Sequence, residues 1–140
     1  MDLSVEQILR KCMLFKGLND EALRLAAEIG SIRHYPAQQV ILRQGEESPG
    51  LFCVGDGCVR VYKIAPNGKE HVLHFARSGQ TFAEVAVIGR FNTPAFAQAV
   101  EPTVCAVLPT DRFRRLLETN HDFCHQFTVG MAFWVRTLVG

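Results

Sequence analysis

The sequence lacks the features that most directly mark a membrane protein, a secreted protein or a nucleic-acid-binding protein. Its 140 residues carry a formal net charge of only +1, so this chain alone has no basic surplus with which to attract nucleic acid. No apolar run approaches the ~20 residues of a membrane-spanning helix. Residues 1–10 are charged and contain no signal-peptide core. We therefore expect a cytoplasmic protein with no membrane partner.

The cysteines form neither a disulfide framework nor a recognisable metal motif. Their number, five, is odd, and no CxxC pair or zinc-ribbon spacing occurs. Only one of them lies near the N-terminus, which excludes a cysteine cluster for an iron–sulfur centre there. Free thiols in this pattern are typical of a reducing cytosol. The five positions are Cys12, Cys53, Cys58, Cys105 and Cys124.

What the chain does contain is a long series of short β-type runs between two helical ends. Asn19 is placed to cap a helix in "GLNDEALRLAAEIG". After Ser31, runs of strand-forming residues alternate with turns every ~8–12 residues, which favours a sandwich or barrel. Within this series, Asn67-Gly68 predicts a two-residue hairpin turn. From Thr110 onwards the pattern is helical again, and the length suits one domain with one core.

The residues at the joints of these elements resemble the Crp/Fnr family of bacterial transcription regulators. The matching features are the turn "QGE" at residues 44–46, Gly57 before "VRVYK", the hairpin "PNGKE" and the stretch "SGQTFAE". Their order and spacing carry the resemblance, which covers roughly residues 15–140. It implies a mainly β fold with flanking helices, namely a double-stranded β-helix (jelly roll) sensor domain followed by a long C-terminal dimerisation helix.

The same resemblance implies a division of the chain and a set of partners. Residues 1–120 would form a cyclic-nucleotide-binding-like β-roll with N-terminal helices, and residues 121–140 would begin the dimerisation helix. The family's C-terminal helix-turn-helix DNA-binding domain is absent from this chain. We therefore expect a homodimer formed through the C-terminal helix, and DNA binding only through the missing domain.

The family's phosphate-binding residues are not preserved here. Members that bind cyclic nucleotides use a Gly-Glu pair and, about ten residues later, an Arg-Ser pair. This chain has Ala83-Glu84 for the first pair and Thr93-Pro94 for the second. Proline also removes a backbone donor, and a buried phosphate without a cation is costly. The nearest cation is Arg90, which is the candidate substitute for the missing arginine.

The family's base-binding end has changed as well. The matching helix positions are Leu138 and Val139, which have no hydrogen-bonding side chains. Both polar ends of a nucleotide would therefore lack partners, so we do not expect cyclic nucleotide binding. An apolar cavity between the β-roll and the helix suits a flat apolar cofactor instead.

The segment "TFAEVAVIGRFNTPAFAQAV" is similar to the Dnr and Hcp-regulator branches of the family, which are haem-dependent sensors of nitric oxide or nitrosative stress. The similarity implies haem as the cofactor and a diatomic gas as the signal. His74 is the candidate axial ligand, because family alignment places it on the strand face that lines the cavity. His71 is three residues away, so strand alternation places it on the opposite face. The other predicted pocket residues are Glu84, Thr93, Pro94, Met131, Trp134 and Leu138.

Several alternatives stay open at this point. His74 also suits the ordinary role of a hydrogen-bonded strand histidine, and the effector also suits a cyclic nucleotide or another small molecule. His121 and His125 have the i,i+4 spacing of a metal-binding pair. His71, His74 and Glu84 form the one set of residues that resembles a cupin metal site. No nucleophile elbow or Ser–His–Asp order is present, so we do not expect an enzyme.

The last helix carries an apolar stripe that requires a partner. That partner is either the β-roll, a second copy of the chain, or a further segment. The stripe consists of Phe127, Met131, Trp134, Val135 and Leu138.

Overall fold

The fold consists of two four-stranded antiparallel sheets with helices packed on one side. The structure, a computed structural model, describes residues 2–140. One sheet has the strand order β1-β8-β3-β6, and the other has the order β2-β7-β4-β5. The prediction of a mainly β jelly roll with flanking helices is confirmed. The strands are β1 (Ser31–Tyr35), β2 (Val40–Leu42), β3 (Gly50–Asp56), β4 (Cys58–Ile64), β5 (Glu70–Arg77), β6 (Thr81–Phe82), β7 (Phe96–Ala99) and β8 (Thr103–Pro109).

Five helices and one short 3-10 turn surround the sheets, and polar side chains cap several of them. Ser4 and Gln7 form a capping box at the start of the first helix. The side chain of Asn19 accepts a hydrogen bond at the start of the second helix, and Asn120 does so for the last. The helices are α1 (Val5–Lys11), α2 (Asp20–Ile29), α3 (Glu84–Gly89), α4 (Thr110–Thr119) and α5 (His121–Val139), with the 3-10 turn at Met13–Phe15.

Two apolar cores lie on opposite faces of the sheet that contains β3 and β8. Side chains alternate between the faces of a strand. Phe52 and Val54 of β3 therefore enter the core between the two sheets, whereas Cys53 enters the core shared with the helices. Four phenylalanines from the N-terminal turn, α4 and α5 pack in this helical core, and they are Phe15, Phe113, Phe123 and Phe127.

The turn between β4 and β5 differs from the prediction. The backbone N–H of Ala65 donates to the carbonyl of Lys69, and the N–H of Gly68 donates to the carbonyl of Ala65, both at 2.8 Å. The loop therefore has three residues, not two. Pro66 fixes the first turn position, and Gly68 adopts the left-handed conformation that closes the loop (φ +85°).

Helix α5 packs on the domain as far as Trp134, and its last residues are mostly exposed. A Cβ atom on Gly17 would lie 2.3 Å from the carbonyl oxygen of Gln126, so this close crossing over the N-terminal turn requires a glycine. Gly130 lies on the other side of the same contact. Further along, Val135 and Leu138 are 48% and 67% exposed, so the predicted stripe is covered only in part. No helix in residues 2–140 combines the length and apolarity needed to cross a bilayer.

The helical core predicts a large difference between two phenylalanines of similar appearance in the sequence. Phe113 is fully buried, whereas Phe91 is 63% exposed. Phe113→Ala should lower the free energy of unfolding by about 3–5 kcal/mol, the usual cost of emptying such a site. Phe91→Ala should change it by no more than about 0.5 kcal/mol. Equal losses in urea-induced unfolding would contradict this assignment of the core.

Candidate ligand cavity

An apolar cavity of about 140 Å³ lies between α3 and the sheet that contains β4 and β7. The small side chains of Ala95 and Ala97 leave room on β7, and Leu73 and Val85 are each 52% exposed at the rim. The volume is below the ~300–1,000 Å³ of pockets that enclose a drug-sized ligand, so a larger ligand would be enclosed only in part. The lining consists of Leu42, Val61, Leu73, His74, Phe82, Ala83, Glu84, Val85, Ala86, Thr93, Pro94, Ala95, Phe96 and Ala97.

A β-bulge decides how β5 borders this cavity. His74 pairs with Val61, but the next pair is Val72 with Tyr62, so Leu73 is an extra residue in the strand. Because a bulge redirects side chains, Leu73 and His74 both line the cavity. His74 is exposed at the cavity mouth. Within residues 2–140 its imidazole makes no hydrogen bond to the backbone or to another side chain, so both the ligand role and the ordinary strand role of His74 stay predictions.

The same bulge overturns the predicted orientation of His71. This residue pairs with Lys63, and Lys63 lies two residues from Val61, the partner of His74. Residues directly opposite one another in an antiparallel pair share a face of the sheet. His71 and His74 therefore lie on the same face, although His71 is not among the residues that line the cavity. Simple alternation failed because it counts no bulge.

Thr93 occupies the position where the family has its phosphate-binding arginine, and all its polar groups are in use. Its N–H donates to the carbonyl of Glu46 at 2.8 Å, and its own carbonyl accepts from the N–H of Gly45 at 2.8 Å. Its hydroxyl lies within hydrogen-bond distance of the carbonyl oxygens of Arg43 and Glu46. Pro94 has no N–H to offer. Thr93 and Pro94 therefore present no spare donor to an anion in the cavity.

Arg90 does not replace the missing cation. It ends α3 in the left-handed conformation (φ +60°), and its guanidinium donates to the carboxylate of Glu118 on α4. It lines a separate cleft on the far side of α3. The suggestion that Arg90 substitutes for the family's arginine is therefore wrong. No lysine or arginine is among the residues that line the cavity.

Glu84 is the one carboxylate in the cavity wall. It begins α3 directly after Ala83, whose φ of +69° places the glutamate at the turn into the helix. Its Oε2 atom is buried and has no hydrogen-bond partner within residues 2–140. A buried acceptor in this state is stabilised when a donor reaches it.

Three predicted pocket residues lie elsewhere in the molecule. Met131 and Trp134 pack against the helical core, and Leu138 is largely exposed. None of the three lines the cavity, so their predicted placement in it is wrong for the single chain. The physical reason is the close crossing at Gly17 and Gly130, which holds α5 on the helical side of the β3–β8 sheet.

Metal-binding side chains do not cluster in residues 2–140. No group of three or more His, Cys, Asp or Glu residues is arranged to hold a metal ion within these residues, so the cupin-like set of His71, His74 and Glu84 does not form such a site. In the described part of the chain, the pair His121 and His125 has no third ligand of these types beside it. A haem iron, in contrast, needs only one or two axial donors from the protein.

The buried thiols predict a selective pattern of cysteine reactivity. Burial raises the pKa of Cys105 from 9.0 to about 12, and burial together with the hydrogen bond that the Cys53 thiol makes to Cys12 raises the pKa of Cys53. Cys124 is the one cysteine that is not buried. Since the thiolate is the reactive form, iodoacetamide at about pH 8 should modify Cys124 promptly in the folded protein and the other four only after unfolding.

These raised pKa values also predict that the folded protein loses stability at alkaline pH. A group with a raised pKa in the folded state stabilises the fold below its unfolded-state pKa. That contribution is lost as the pH rises from about 9 towards 12. Mass spectrometry after brief alkylation checks the pattern, and rapid modification of Cys53 or Cys105 would contradict their burial.

Comparison with known proteins agrees with this architecture. The family model "Cyclic nucleotide-binding domain" matches residues 32–120. The Cyclic AMP receptor protein of Thermus thermophilus is 31% identical over 119 residues, which are 85% of this chain and 55% of that protein. Isozyme 1 of the cGMP-dependent protein kinase of Drosophila melanogaster is 33% identical over 112 residues, which are 78% of this chain and 15% of that protein.

The chain therefore belongs to the cyclic nucleotide-binding domain family, in the form found in Crp/Fnr-type regulators. A solved structure of the sensor domain of the transcriptional regulator DNR from Pseudomonas aeruginosa has the same fold. Its TM-score is 0.76 at 24% identity, over 96% of this chain and 90% of that one. The chain spans about half the length of the Thermus regulator and a small part of the kinase.

Proposed function

We propose that this chain is the effector-sensing domain of a cytoplasmic Crp/Fnr-type transcription regulator, and that it senses nitric oxide or another diatomic gas through haem. The observation that carries the proposal is the free imidazole of His74 at the mouth of an apolar cavity without a cation. DNA binding would belong to a domain outside this chain. The exposed apolar side chains of Val135 and Leu138 suit pairing of α5 with a second copy.

The residues around the cavity fit haem in their chemistry. His74 offers a nitrogen donor that makes no other hydrogen bond within the described residues, and Leu73 and Val85 offer apolar rim surface beside it. When bound, haem supplies an iron centre that takes a diatomic gas. The cavity of about 140 Å³ takes an apolar edge of the macrocycle. The charged propionates would remain in water, where no protein cation is required.

The same cavity is poorly suited to a cyclic phosphate. Thr93 and Pro94 have no free donor, and Arg90 is paired on the far side of α3. A charge moved from water into such a site would lose its hydration without gaining a partner. Glu84 would add repulsion for an anion. The missing cation and the engaged Thr93 donors act together against a nucleotide and leave the apolar surface of the cavity available to an uncharged ligand.

The first test is a titration with haem followed by the Soret absorption band. The protein should give a saturable band with about one haem per chain, and nitric oxide should shift it. His74→Ala should weaken haem binding by more than about tenfold, because even the loss of an outer-shell partner of a metal costs about 10–100-fold.

The matched control for this titration is His71→Ala. His71 lies on the same strand and the same face as His74 but does not line the cavity, so this variant should keep the band. If the protein shows no Soret band, or if both histidine variants bind like the unaltered protein, the proposal is wrong.

The second test concerns cyclic nucleotides. Calorimetry with cyclic AMP and cyclic GMP should detect no binding tighter than about 1 mM, which corresponds to about 4 kcal/mol of binding free energy. The expectation follows from the absence of a lysine or arginine among the lining residues and from the engagement of both Thr93 donors. Binding in the micromolar range would show that the backbone alone can hold the phosphate, and it would favour a nucleotide as the effector.

A further inference from the structure

Helix α3 separates two concave surfaces and is held at few points. Its inner side borders the cavity, and its outer side borders an open polar cleft of about 570 Å³ that also contains the start of α4. Ala86 lines both. The helix has only six residues and is flanked by left-handed residues, Ala83 and Arg90. A ligand in the cavity would therefore contact α3, and the opposite side of this short helix faces α4.

Two side chains of α4 form hydrogen bonds with this wall. Glu118 accepts from Arg90 at the C-terminal end of α3, and Arg114 donates to carbonyl oxygens within the helix. The Nε atom of Arg114 donates to the carbonyl oxygen of Val87 at 2.7 Å, and its Nη2 atom donates to that of Ala86 at 3.4 Å. Charged donors form stronger hydrogen bonds than neutral ones. The planar guanidinium also fixes the direction of both contacts. The position of α3 and the position of α4 are thereby linked through two backbone carbonyls.

The residue next to Arg114 links α4 to α5. Phe113 is fully buried, and its ring centroid lies 6.1 Å from that of Phe123 and 5.2 Å from that of Phe127, both on α5. Protein cores are close-packed and transmit displacement because they have little free volume. A movement of α4 would therefore change how α5 packs against Phe113.

We propose that Arg114 is a positioning residue that transmits occupancy of the cavity to α5. It holds α3 from the side opposite the ligand, while Phe113 on the same helix touches α5. The inference rests on the proposed function in one respect: it assumes that an effector binds in this cavity. It does not depend on which effector binds. Arg114 does not line the cavity, so its role is to pass on a displacement, and it is not required to hold the ligand.

Hydrogen exchange on the full chain tests this role, with haem as the first occupant. In the unaltered protein, haem should change the exchange rates of backbone amides in α3 and in the first half of α5. The expected change in α5 is about fivefold or more, the lower end of usual couplings between sites. In Arg114→Gln, haem should bind with an affinity within about threefold of the original, and the α5 response should be lost.

The matched control is Arg112→Gln. Arg112 is exposed on the same helix and lines the same cleft, but no hydrogen bond within residues 2–140 joins its side chain to α3. This variant should keep the full response. Arg114→Lys keeps the charge and loses the two-point contact, so it should restore only part of the response. Circular dichroism on each variant confirms that it is folded.

A second occupant makes the test independent of haem. Ala97→Phe places an aromatic ring in the cavity from β7, and it should change exchange in α5 when Arg114 is present but not in the Arg114→Gln background. A missing Soret band would disprove haem binding, but the Ala97→Phe experiment would still test the role of Arg114. The inference is overturned if α5 responds equally with and without Arg114, if α5 responds to neither occupant, or if Arg114→Gln abolishes haem binding itself.

Discussion

The bonding of Thr93 is the constraint on which the character of the cavity depends. Its N–H, carbonyl and hydroxyl all engage the backbone at residues 43–46. These bonds fix the loop between α3 and β7 and close one side of the cavity. They also consume every donor that an anion would need at that point. Pro94 then continues the wall without an N–H. The apolar character of this wall therefore depends on the hydrogen bonds that hold the loop between α3 and β7, as well as on its apolar side chains.

Helix α3 gives this cavity a connection to the rest of the domain. It begins at Glu84, whose buried Oε2 atom lacks a partner within residues 2–140, and it ends at Arg90, which is tied to α4. Both ends are left-handed turns, which limit the helix to a short piece between fixed points. The wall that an effector would touch is thus also the wall that α4 holds, and α4 packs on α5 through the phenylalanine core.

Much of the fold followed from local pattern, because turns, caps and strand alternation act over a few residues. Asn19 caps α2 as its spacing indicated, and the strand series forms the predicted jelly roll. The predicted residues His74, Glu84, Thr93 and Pro94 line one cavity, and their part in binding a ligand stays a prediction. Local pattern failed where one inserted residue or a distant contact decides the geometry. The bulge at Leu73 places the His71 side chain on the face opposite to the predicted one. The close crossing of Gly17 and Gly130 holds α5, and with it Met131, away from the cavity.

This cavity should accept a flat, largely uncharged ligand at His74 and reject a cyclic phosphate. Backbone amide shifts of isotope-labelled protein distinguish the two, with zinc protoporphyrin as a diamagnetic stand-in for haem and cyclic AMP as the competitor. The porphyrin should shift the amides of Leu73, His74, α3 and β7, and cyclic AMP should shift none of them. Shifts at these amides with cyclic AMP, or porphyrin shifts confined to other surfaces, would contradict it.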